Sequence, residues 1–346
     1  MMRCAVLTEP GNLLLEEQPI PIPGPGAVLV KVAYCGICGT DLLIYEGKFP
    51  THFPYSPGHE YSGIIAGLGL GVERFRLGEP VAIDPNYACG HCHFCHQGKP
   101  NLCENLKVKV KSNGGFADWV ALPEQMVHPL PASLSLKHAV LAESLSCVLH
   151  AIDRAAVKDR DSVVILGAGT LGLLLLQLVR RATNDVIIVT EPQAVKREVA
   201  RQLGADIIID SSIQNVATIV QNHTQGYKAD IVFDSVGLPQ TVKSAFQIVK
   251  RGGTIILLGI CPEGVEISLS PSQISREELT VHGVFLNPHT FSRALEILAQ
   301  GAANAEKLIT HLLPLEKLEE GFRLHKSGES IKTVIVLDPD IGFLTQ

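Results

Sequence analysis

The feature that most constrains the fold of this chain is a regular alternation of short apolar runs and helical stretches that begins near Asp161. The runs consist mostly of valine, isoleucine and leucine, and one intervening helical stretch, residues 194–203, ends before Gly204. The apolar runs are residues 163–166, 186–189, 207–209, 231–233 and 254–258. Strands of this kind, buried on both faces and joined by helices, form parallel sheets. The sequence therefore predicts an α/β fold class, with a doubly wound parallel sheet in this part of the chain.

A glycine-rich turn lies between the first apolar run and the helix that follows it. Gly167, Gly169 and Gly172 form a G-x-G-x-x-G pattern, with Thr170 and Leu171 inside it. The first glycine permits a tight turn, the second lets the backbone approach a pyrophosphate, and the third allows close packing of helix and strand. The N-terminus of the helix adds N–H groups and a positive dipole. These residues are predicted to bind the pyrophosphate of a dinucleotide.

An acidic residue follows the second apolar run. Glu191 lies about twenty residues beyond the glycine turn, where a carboxylate can accept hydrogen bonds from the ribose hydroxyls of the adenosine. A carboxylate there repels a 2′-phosphate, which favours NAD over NADP. Lys196, one helical turn further on, weakens that preference because a cation could pair with a phosphate. Alternatively, Glu191 is an exposed acid in the first turn of a helix, where the dipole stabilises it.

A cluster of cysteines lies in the first half of the chain with C-x2-C-x2-C-x7-C spacing. Its members are Cys89, Cys92, Cys95 and Cys103. Two-residue gaps let successive thiolates turn back to one centre, and four thiolates form a closed tetrahedral zinc site. Such a site is structural; an iron–sulfur cluster or disulfides are the alternatives. The histidines within the cluster are predicted to be solvated loop residues: His91, His93 and His96.

Length, charge and apolar content exclude several classes of protein. The 346 residues suggest two domains, and the formal net charge of −6 comes without a basic stripe, so nucleic acid and anionic membranes are not expected partners. The N-terminus lacks the apolar core of a secretion signal. Residues 162–179 approach the length of a membrane span, but a buried strand and helix explain them better. Nine cysteines fit a reducing cytoplasm if their thiolates ligate metal. The scattered ones are predicted to be small core residues: Cys4, Cys35, Cys147 and Cys261.

The first part of the chain is rich in strand signals and turns. Residues 28–34 carry β-branched residues and are bounded by PIPGPG before and CGICG after. The first long amphipathic helix is predicted at residues 137–156. Near the C-terminus, residues 332–339 form another strand-like run, which we expect to return to the first domain.

Two further motifs bring a thiolate, an imidazole and acids into the same half of the chain: CGICGTD at residues 35–41 and PGHEYSG at residues 57–63. With the cysteine cluster and the glycine turn, in this order, the whole chain resembles the zinc-dependent medium-chain alcohol dehydrogenase family. It is most similar to the polyol, sorbitol and threonine dehydrogenase branch. The resemblance implies a GroES-like, mostly-β catalytic domain of residues 1–148 and 288–346. It implies a Rossmann domain of residues 149–287.

The resemblance also implies a second zinc ion, at an open, catalytic site. Cys38 and His59 would hold it, and Glu60 and Glu143 would complete its ligands directly or through water. Which acid binds directly varies within the branch and stays open. One thiolate, one imidazole and a carboxylate suit zinc and leave a position for a substrate oxygen. The implied reaction is reversible hydride transfer between an alcohol and the nicotinamide.

The chain departs from the family pattern along the implied proton path. Thr40 occupies the position of the hydroxyl that accepts the substrate proton, but the histidine expected three residues later is Leu43. Water, Glu60 or His52 would have to complete the path, or proton release is slow. Ser144 replaces a common proline after Glu143, which is expected to loosen the ligand loop with little effect on chemistry.

Other expected roles follow from the resemblance. Asp41 is expected to fix the loop behind the catalytic zinc. The stretch GVFLNPHTF lacks the arginine with which sorbitol enzymes anchor a hydroxyl, so sorbitol itself is in doubt. Residues expected to line the nicotinamide side are Val236, Gly237, Gly259, Ile260, Phe285 and Asn287. Residues that could shape the substrate pocket, or only pack, are Tyr45, Phe49 and His52.

The leading hypothesis is an NAD-dependent zinc dehydrogenase of a secondary alcohol, with polyols or sugar alcohols favoured over L-threonine-type and simple secondary alcohols. Zinc-free quinone or enoyl reductases of the same superfamily lack the cysteine cluster and the metal ligands. A non-catalytic dinucleotide sensor is an alternative from another class. We expect a homodimer or homotetramer, in which an edge strand near residues 280–284 could pair across a two-fold axis.

Overall fold

The structure is a computed structural model that describes residues 1–108, 114–261, 264–338 and 340–341. It divides into two compact units, which are described separately. The first consists of Met1–Ser146, Pro288–Gly301 and Leu308–Gln346, and the second of Cys147–Asn287 and Ala302–Lys307. The domain limits inferred from the sequence differ at residues 147–148 and 302–307, which belong to the second unit. Asn304 N there donates to Oε1 of Gln177 at 2.6 Å.

The secondary structure consists of strands β1–β17 and helices α1–α11 within the described residues. The strands are β1 Met2–Glu9, β2 Asn12–Gln18, β3 Ala27–Gly36, β4 Glu60–Leu68, β5 Pro80–Ile83, β6 Asn86–Tyr87, β7 Lys107–Val108, β8 Trp119–Pro123, β9 Val127–Pro129, β10 Val163–Leu166, β11 Ile187–Thr190, β12 Ile207–Ile209, β13 Ala229–Asp234, β14 Val249–Leu257, β15 Thr280–Gly283, β16 Ile309–Pro314 and β17 Lys332–Val336. The helices are α1 Gly39–Tyr45, α2 His93–His96, α3 Leu136–Ala139, α4 Ala142–Ala155, α5 Thr170–Ala182, α6 Ala194–Gln202, α7 Val216–His223, α8 Pro239–Ile248, α9 Pro271–Arg276, α10 Phe291–Ala299 and α11 Leu318–Ser327.

The first unit is built on a mostly antiparallel sheet. Its strand order in the described part of the chain is β16-β17-β3-β4-β5-β9, and β8 also pairs with β3. β3 alternates buried and half-buried residues, as a strand with one face on the core does. β17 lies beside β3 and brings the C-terminal segment into this sheet. Pro339, at the end of the predicted run, lies outside the described residues.

The second unit contains a parallel sheet of order β12-β11-β10-β13-β14-β15 in its described residues. All residues of β10 and β11 are buried, as expected for strands covered on both faces. The chain runs outward from β10 to β12 and then returns to β13 on the other side of β10. The carboxyl ends of β10 and β13 therefore form a topological switch point, where doubly wound sheets bind ligands.

The predicted helix at residues 137–156 is two helices, α3 and α4. Ser135 begins α3, and its hydroxyl accepts a hydrogen bond from His138 N at 3.3 Å. The chain then turns at Val140 before α4 begins. An apolar pattern that continues through a helix break cannot by itself reveal the break.

Residues 162–179 form the buried strand β10 and the helix α5, as predicted. Among the described residues, the structure contains no helix with both the length and the apolar character required to cross a membrane.

Candidate active site and metal centres

The glycine turn of the second unit lies where the sequence predicts a dinucleotide site, between β10 and α5 at the switch point of the sheet. Gly167 has a φ of +97°, a conformation that favours glycine. A β-carbon there would lie 2.5 Å from a methyl group of Val236, so both space and backbone require glycine. Around Gly169, by contrast, a β-carbon would meet no atom within 4 Å. The middle of the turn is therefore open, and a pyrophosphate could approach its backbone there.

Glu191 is held against the glycine turn and is not an exposed acid. Its Oε2 accepts a hydrogen bond from Ala168 N at 2.8 Å, and its Oε1 accepts one from Gln193 N at 3.0 Å. Burial lowers the pKa of Lys196, and the negative charge of Glu191 partly offsets this decrease. The buried carboxylate therefore has a fixed orientation at the edge of the predicted ribose site.

The residues predicted to line the nicotinamide side follow the later strands of the same sheet. Val236 comes after β13, Ile260 after β14 and Phe285 after β15, and these side chains are 37%, 49% and 49% exposed. Gly237 and Gly259 are in such close contact that a β-carbon on Gly259 would lie 2.2 Å from Gly237 N. Another of the predicted residues, Asn287, is buried.

The four cysteines of the first unit converge as predicted. The sulfur atoms of Cys89, Cys92, Cys95 and Cys103 all lie within 4.8 Å of one another. Sγ of Cys92 and Sγ of Cys103 are 3.8 Å apart. That is the sulfur separation, about 3.8 Å, expected around tetrahedral zinc with Zn–S near 2.3 Å, and it is too long for a disulfide. The three neighbouring histidines are exposed, as predicted, but His93 and His96 are the first and last residues of helix α2 and only His91 lies in a loop.

Backbone N–H groups stabilise this cluster, hereafter the cysteine lobe. Cys89 N and Asn105 N each donate to Sγ of Cys103 at 3.3 Å. Hydrogen bonds of this kind hold a metal ligand in a fixed position. The lobe therefore fits a closed structural zinc site.

A second group of potential metal ligands lies at the ends of β3 and β4. The ligand atoms of Cys38, His59 and Glu60 lie within 4.8 Å of one another. Cys38 immediately precedes helix α1, and Glu60 is the first residue of β4. One thiolate, one imidazole and one carboxylate are the donor types of an open zinc site. The group, hereafter the central cluster, therefore fits the catalytic zinc that the family resemblance implies.

Asp41 orients two of these ligands from behind. Its Oδ1 lies 3.3 Å from Nδ1 of His59 and accepts from Gly58 N at 3.0 Å, while its Oδ2 accepts from Cys38 N at 3.1 Å. Burial alone would lower the pKa of His59, but the negative charges of Asp41 and Cys38 outweigh it and raise that pKa. Since Nδ1 faces Asp41, Nε2 is the nitrogen for a metal, as in other carboxylate–histidine–zinc arrangements.

Glu60 is fully buried and has a donor on each carboxylate oxygen. Nζ of Lys332 lies 2.5 Å from Oε2 and also donates to the carbonyl of Ile37 at 3.0 Å. Oγ of Ser144 donates to Oε1 at 2.6 Å. Gly36, directly opposite Glu60 across the sheet, makes room for the carboxylate, because a β-carbon there would lie 2.4 Å from Oε2.

The expectation that Ser144 loosens the ligand loop is wrong. Ser144 is buried and is the third residue of α4. A regular helix fixes its backbone, and its hydroxyl is used by Glu60. The sequence shows that a serine replaces the usual proline, but it does not show that the hydroxyl bonds to Glu60, which is far away in the chain.

Glu143, the residue before Ser144 on α4, is also buried. Burial raises its pKa to about 7; the charge of His59 opposes this shift, and the charge of Glu60 adds to it. Two carboxylates thus lie near the imidazole of His59. Glu60 forms an ion pair with the ammonium of Lys332, whereas Glu143 interacts with that ammonium only through its charge.

The residues of the implied proton path do not converge as closely as the potential metal ligands do. Oγ1 of Thr40 lies 3.8 Å from Sγ of Cys38, beside the central cluster. His52 is exposed, and Leu43 is half-buried. The ring of Tyr45 packs on the ring of Phe322, with 5.2 Å between the ring centroids. This contact agrees with the alternative that Tyr45 only packs and does not shape the substrate pocket. Phe49 is half-buried.

Lys332 is the site residue that sequence reasoning missed. It begins a strand of β-branched residues near the C-terminus, where a lysine usually faces water. Its side chain is only 2% exposed. A lysine in an otherwise apolar run was the available signal, although the run gives no indication of a partner 272 residues away.

The fold and the two metal centres define a zinc-binding dinucleotide oxidoreductase. Residues 24–132 match the alcohol dehydrogenase GroES-like domain, and residues 170–300 match the zinc-binding dehydrogenase family. The chain belongs to the zinc-dependent medium-chain alcohol dehydrogenase family. It is therefore an enzyme that acts on CH–OH donors, with zinc and a nicotinamide dinucleotide as the cofactors of its class.

Relatives over nearly the full length act on different alcohols. A sorbitol dehydrogenase of Halalkalibacterium halodurans is 32% identical over 94% of this chain and 96% of its own. An L-threonine 3-dehydrogenase of Pyrococcus horikoshii is 33% identical over 95% of this chain and 97% of its own. A crystal structure of a zinc-binding dehydrogenase from Sinorhizobium meliloti, bound to NADP, has a TM-score of 0.93 and 34% identity, covering 97% of this chain and 99% of that chain.

Proposed function

We propose that this enzyme is an NAD-dependent dehydrogenase of a secondary alcohol, with a polyol or sugar alcohol as substrate. The observation that carries the proposal is the convergence of Cys38, His59 and Glu60, whose ligand atoms lie within 4.8 Å of one another. Three protein ligands of these types leave a fourth position for the oxygen of a substrate. When bound, zinc lowers the pKa of an alcohol hydroxyl, and the nicotinamide accepts a hydride.

The residues around the central cluster have distinct roles in this proposal. Asp41 holds the imidazole of His59 and the loop of Cys38 in place through its two carboxylate oxygens. Oγ1 of Thr40 accepts the proton that the substrate hydroxyl releases. Glu143 faces the same site as a second acid, outside the trio of direct ligands. Since Leu43 cannot carry a proton, water or the exposed His52 completes the path to solvent.

The preference for NAD rests on Glu191. Its carboxylate is buried and oriented by Ala168 N and Gln193 N, with charge concentrated beside the glycine turn. Fixed negative charge there repels a 2′-phosphate and accepts hydrogen bonds from ribose hydroxyls. Lys196 opposes this preference, because its positive charge could pair with a 2′-phosphate. The Sinorhizobium meliloti relative is bound to NADP, so rates with both cofactors must be compared.

The assignment to polyols rests on similarity to the sorbitol enzyme, and L-threonine is the second candidate because a threonine enzyme is equally similar. The lack of an arginine in GVFLNPHTF argues against sorbitol itself. The edge strand β15 pairs with β14 in the described structure, and its exposed Val281 supports the proposal of a homodimer or homotetramer.

The experiment that tests the proposal measures initial rates of NADH formation with polyols, secondary alcohols and L-threonine, each with a matched NADP+ reaction. The rates are measured before and after chelation, and again after zinc is restored. We expect turnover of one polyol class with NAD, loss on chelation and recovery with zinc. Turnover of L-threonine alone would replace the substrate, and binding of NADH without any turnover would support a sensor instead.

A further inference from the structure

Glu60 is a fully buried carboxylate held by two donors from distant parts of the chain. Ser144, on α4, donates to Oε1, and Lys332, on β17, donates to Oε2, at 2.6 and 2.5 Å. Both partners are themselves buried, at 4% and 2% exposure. The carboxylate therefore exchanges no hydrogen bonds with bulk water at these two positions, and its orientation depends on the two donors.

We propose that Ser144 is a positioning residue of the metal centre. Its hydroxyl restrains Oε1 of Glu60 against the attraction of Lys332 and so keeps the carboxylate directed at the point shared with Cys38 and His59. The inference rests on the proposed role of these three residues as the catalytic zinc ligands. It adds a residue outside the ligand set, and it makes a change of metal affinity the expected consequence.

The physical basis is a competition for one carboxylate. An ammonium at 2.5 Å attracts both oxygens of Glu60, and the terminal torsion of a glutamate is broad, so little resists rotation. A rotation that brings both oxygens to Lys332 turns the carboxylate away from the metal ligands. A hydroxyl on the opposite oxygen opposes that rotation, because the rotation would break a short hydrogen bond in a site without competing water.

The elements that carry the donors give this tether its rigidity. Lys332 is fixed through a second bond to the carbonyl of Ile37, and its strand pairs with β3. Ser144 lies in the first turn of α4. Both donors are therefore anchored by regular secondary structure, whereas Glu60 reaches them through a flexible side chain.

The test uses Ser144→Ala and, to restore the hydroxyl, Ser144→Thr in the full chain. Ser62→Ala is the matched control, since Ser62 also has a buried hydroxyl with a 2.6 Å hydrogen bond, to the carbonyl of Leu136 rather than to Glu60. Zinc affinity at each site is measured by competition with a chromogenic chelator. The visible absorption bands of Co²⁺ at the central cluster report its coordination geometry, independently of turnover.

We expect Ser144→Ala to weaken zinc binding at the central cluster by about 10- to 100-fold, the usual range for loss of a residue that orients a metal ligand. The Co²⁺ bands should shift, Ser144→Thr should return most of the affinity, and the cysteine lobe should keep its zinc in every variant. Unchanged affinity and unchanged Co²⁺ bands in Ser144→Ala would overturn the proposal. Equal weakening in Ser62→Ala would overturn it too.

Failure of the proposed function has a different signature. Wild-type protein that takes up zinc only in the cysteine lobe would overturn both proposals. Wild-type protein with zinc in both sites but without turnover would overturn the function alone, and a weakened central cluster in Ser144→Ala would still support the role of Ser144.

Discussion

The cysteine lobe and the central cluster are both candidate metal sites of the first unit, but they are assembled in opposite ways. The lobe takes all its ligands from residues 89–103, so no two of these four cysteines are more than 14 residues apart in the sequence. The central cluster depends on contacts that span 84 and 272 residues. A local site is encoded by spacing, whereas a distributed site needs the register of several strands. The two should therefore respond differently to mutation.

The largest expected effect is that of His59→Ala. Loss of the imidazole should release zinc from the central cluster and remove several kcal/mol of charge stabilisation, so kcat/KM should fall by roughly a thousandfold or more. The lobe should keep its zinc. Metal content and initial rates check both statements.

His91→Ala is the control, because His91 is an exposed neighbour of the lobe. It should leave both zinc sites and the rate unchanged. Normal turnover of His59→Ala would show that the central cluster is not the catalytic site.

The next effect concerns stability and a residue remote in sequence. Lys332→Met removes the ammonium that pairs with the buried carboxylate of Glu60, which costs about 3–5 kcal/mol of unfolding free energy. The measurement is denaturant unfolding after chelation, so that zinc does not replace the lost positive charge. Arg201→Met, which removes an exposed ion pair with Glu198, should cost about 0–1 kcal/mol. Equal midpoints for the two variants would contradict the burial of Lys332.

Glu191→Gln tests a site of intermediate sequence separation, since its contact with Ala168 spans 23 residues. Removal of the charge should raise kcat/KM with NADP relative to NAD by roughly tenfold, about 1.4 kcal/mol. Glu198→Gln, an exposed acid on the following helix, should leave the ratio unchanged. A ratio that does not move in Glu191→Gln would assign cofactor choice to other residues, Lys196 first.

The smallest expected effect on the reaction is that of Cys103→Ser. Zinc should be lost from the lobe only, and kcat/KM at 25 °C should stay within about tenfold of wild type. Thermal unfolding should begin at a lower temperature, because a structural zinc contributes folding energy. Loss of zinc from the central cluster as well would show that the two sites are coupled, and the contrast between them would then be wrong.

Strands and turns of the second unit could be predicted closely because their signals are local. The residues of β10 and β12 coincide with the predicted runs, and the glycine turn lies between β10 and α5. The break between α3 and α4 was missed, since both sides of it are apolar and buried. Periodicity reports which face of a segment is buried, and it continues unchanged when a helix stops for two residues.

By itself, the sequence determined the ligand types and the local geometry of this protein. The cysteine spacing, the GHE motif and the glycine turn each contain their chemistry within a few residues, where chain geometry alone brings the groups together. Only the tertiary structure decided what Glu60 contacts. β17 must pair with β3, and β3 with β4, before Lys332 and the carboxylate can meet, and α4 must pack beside them before Ser144 can donate. Such contacts depend on strand register across the whole unit, which no single segment of sequence specifies.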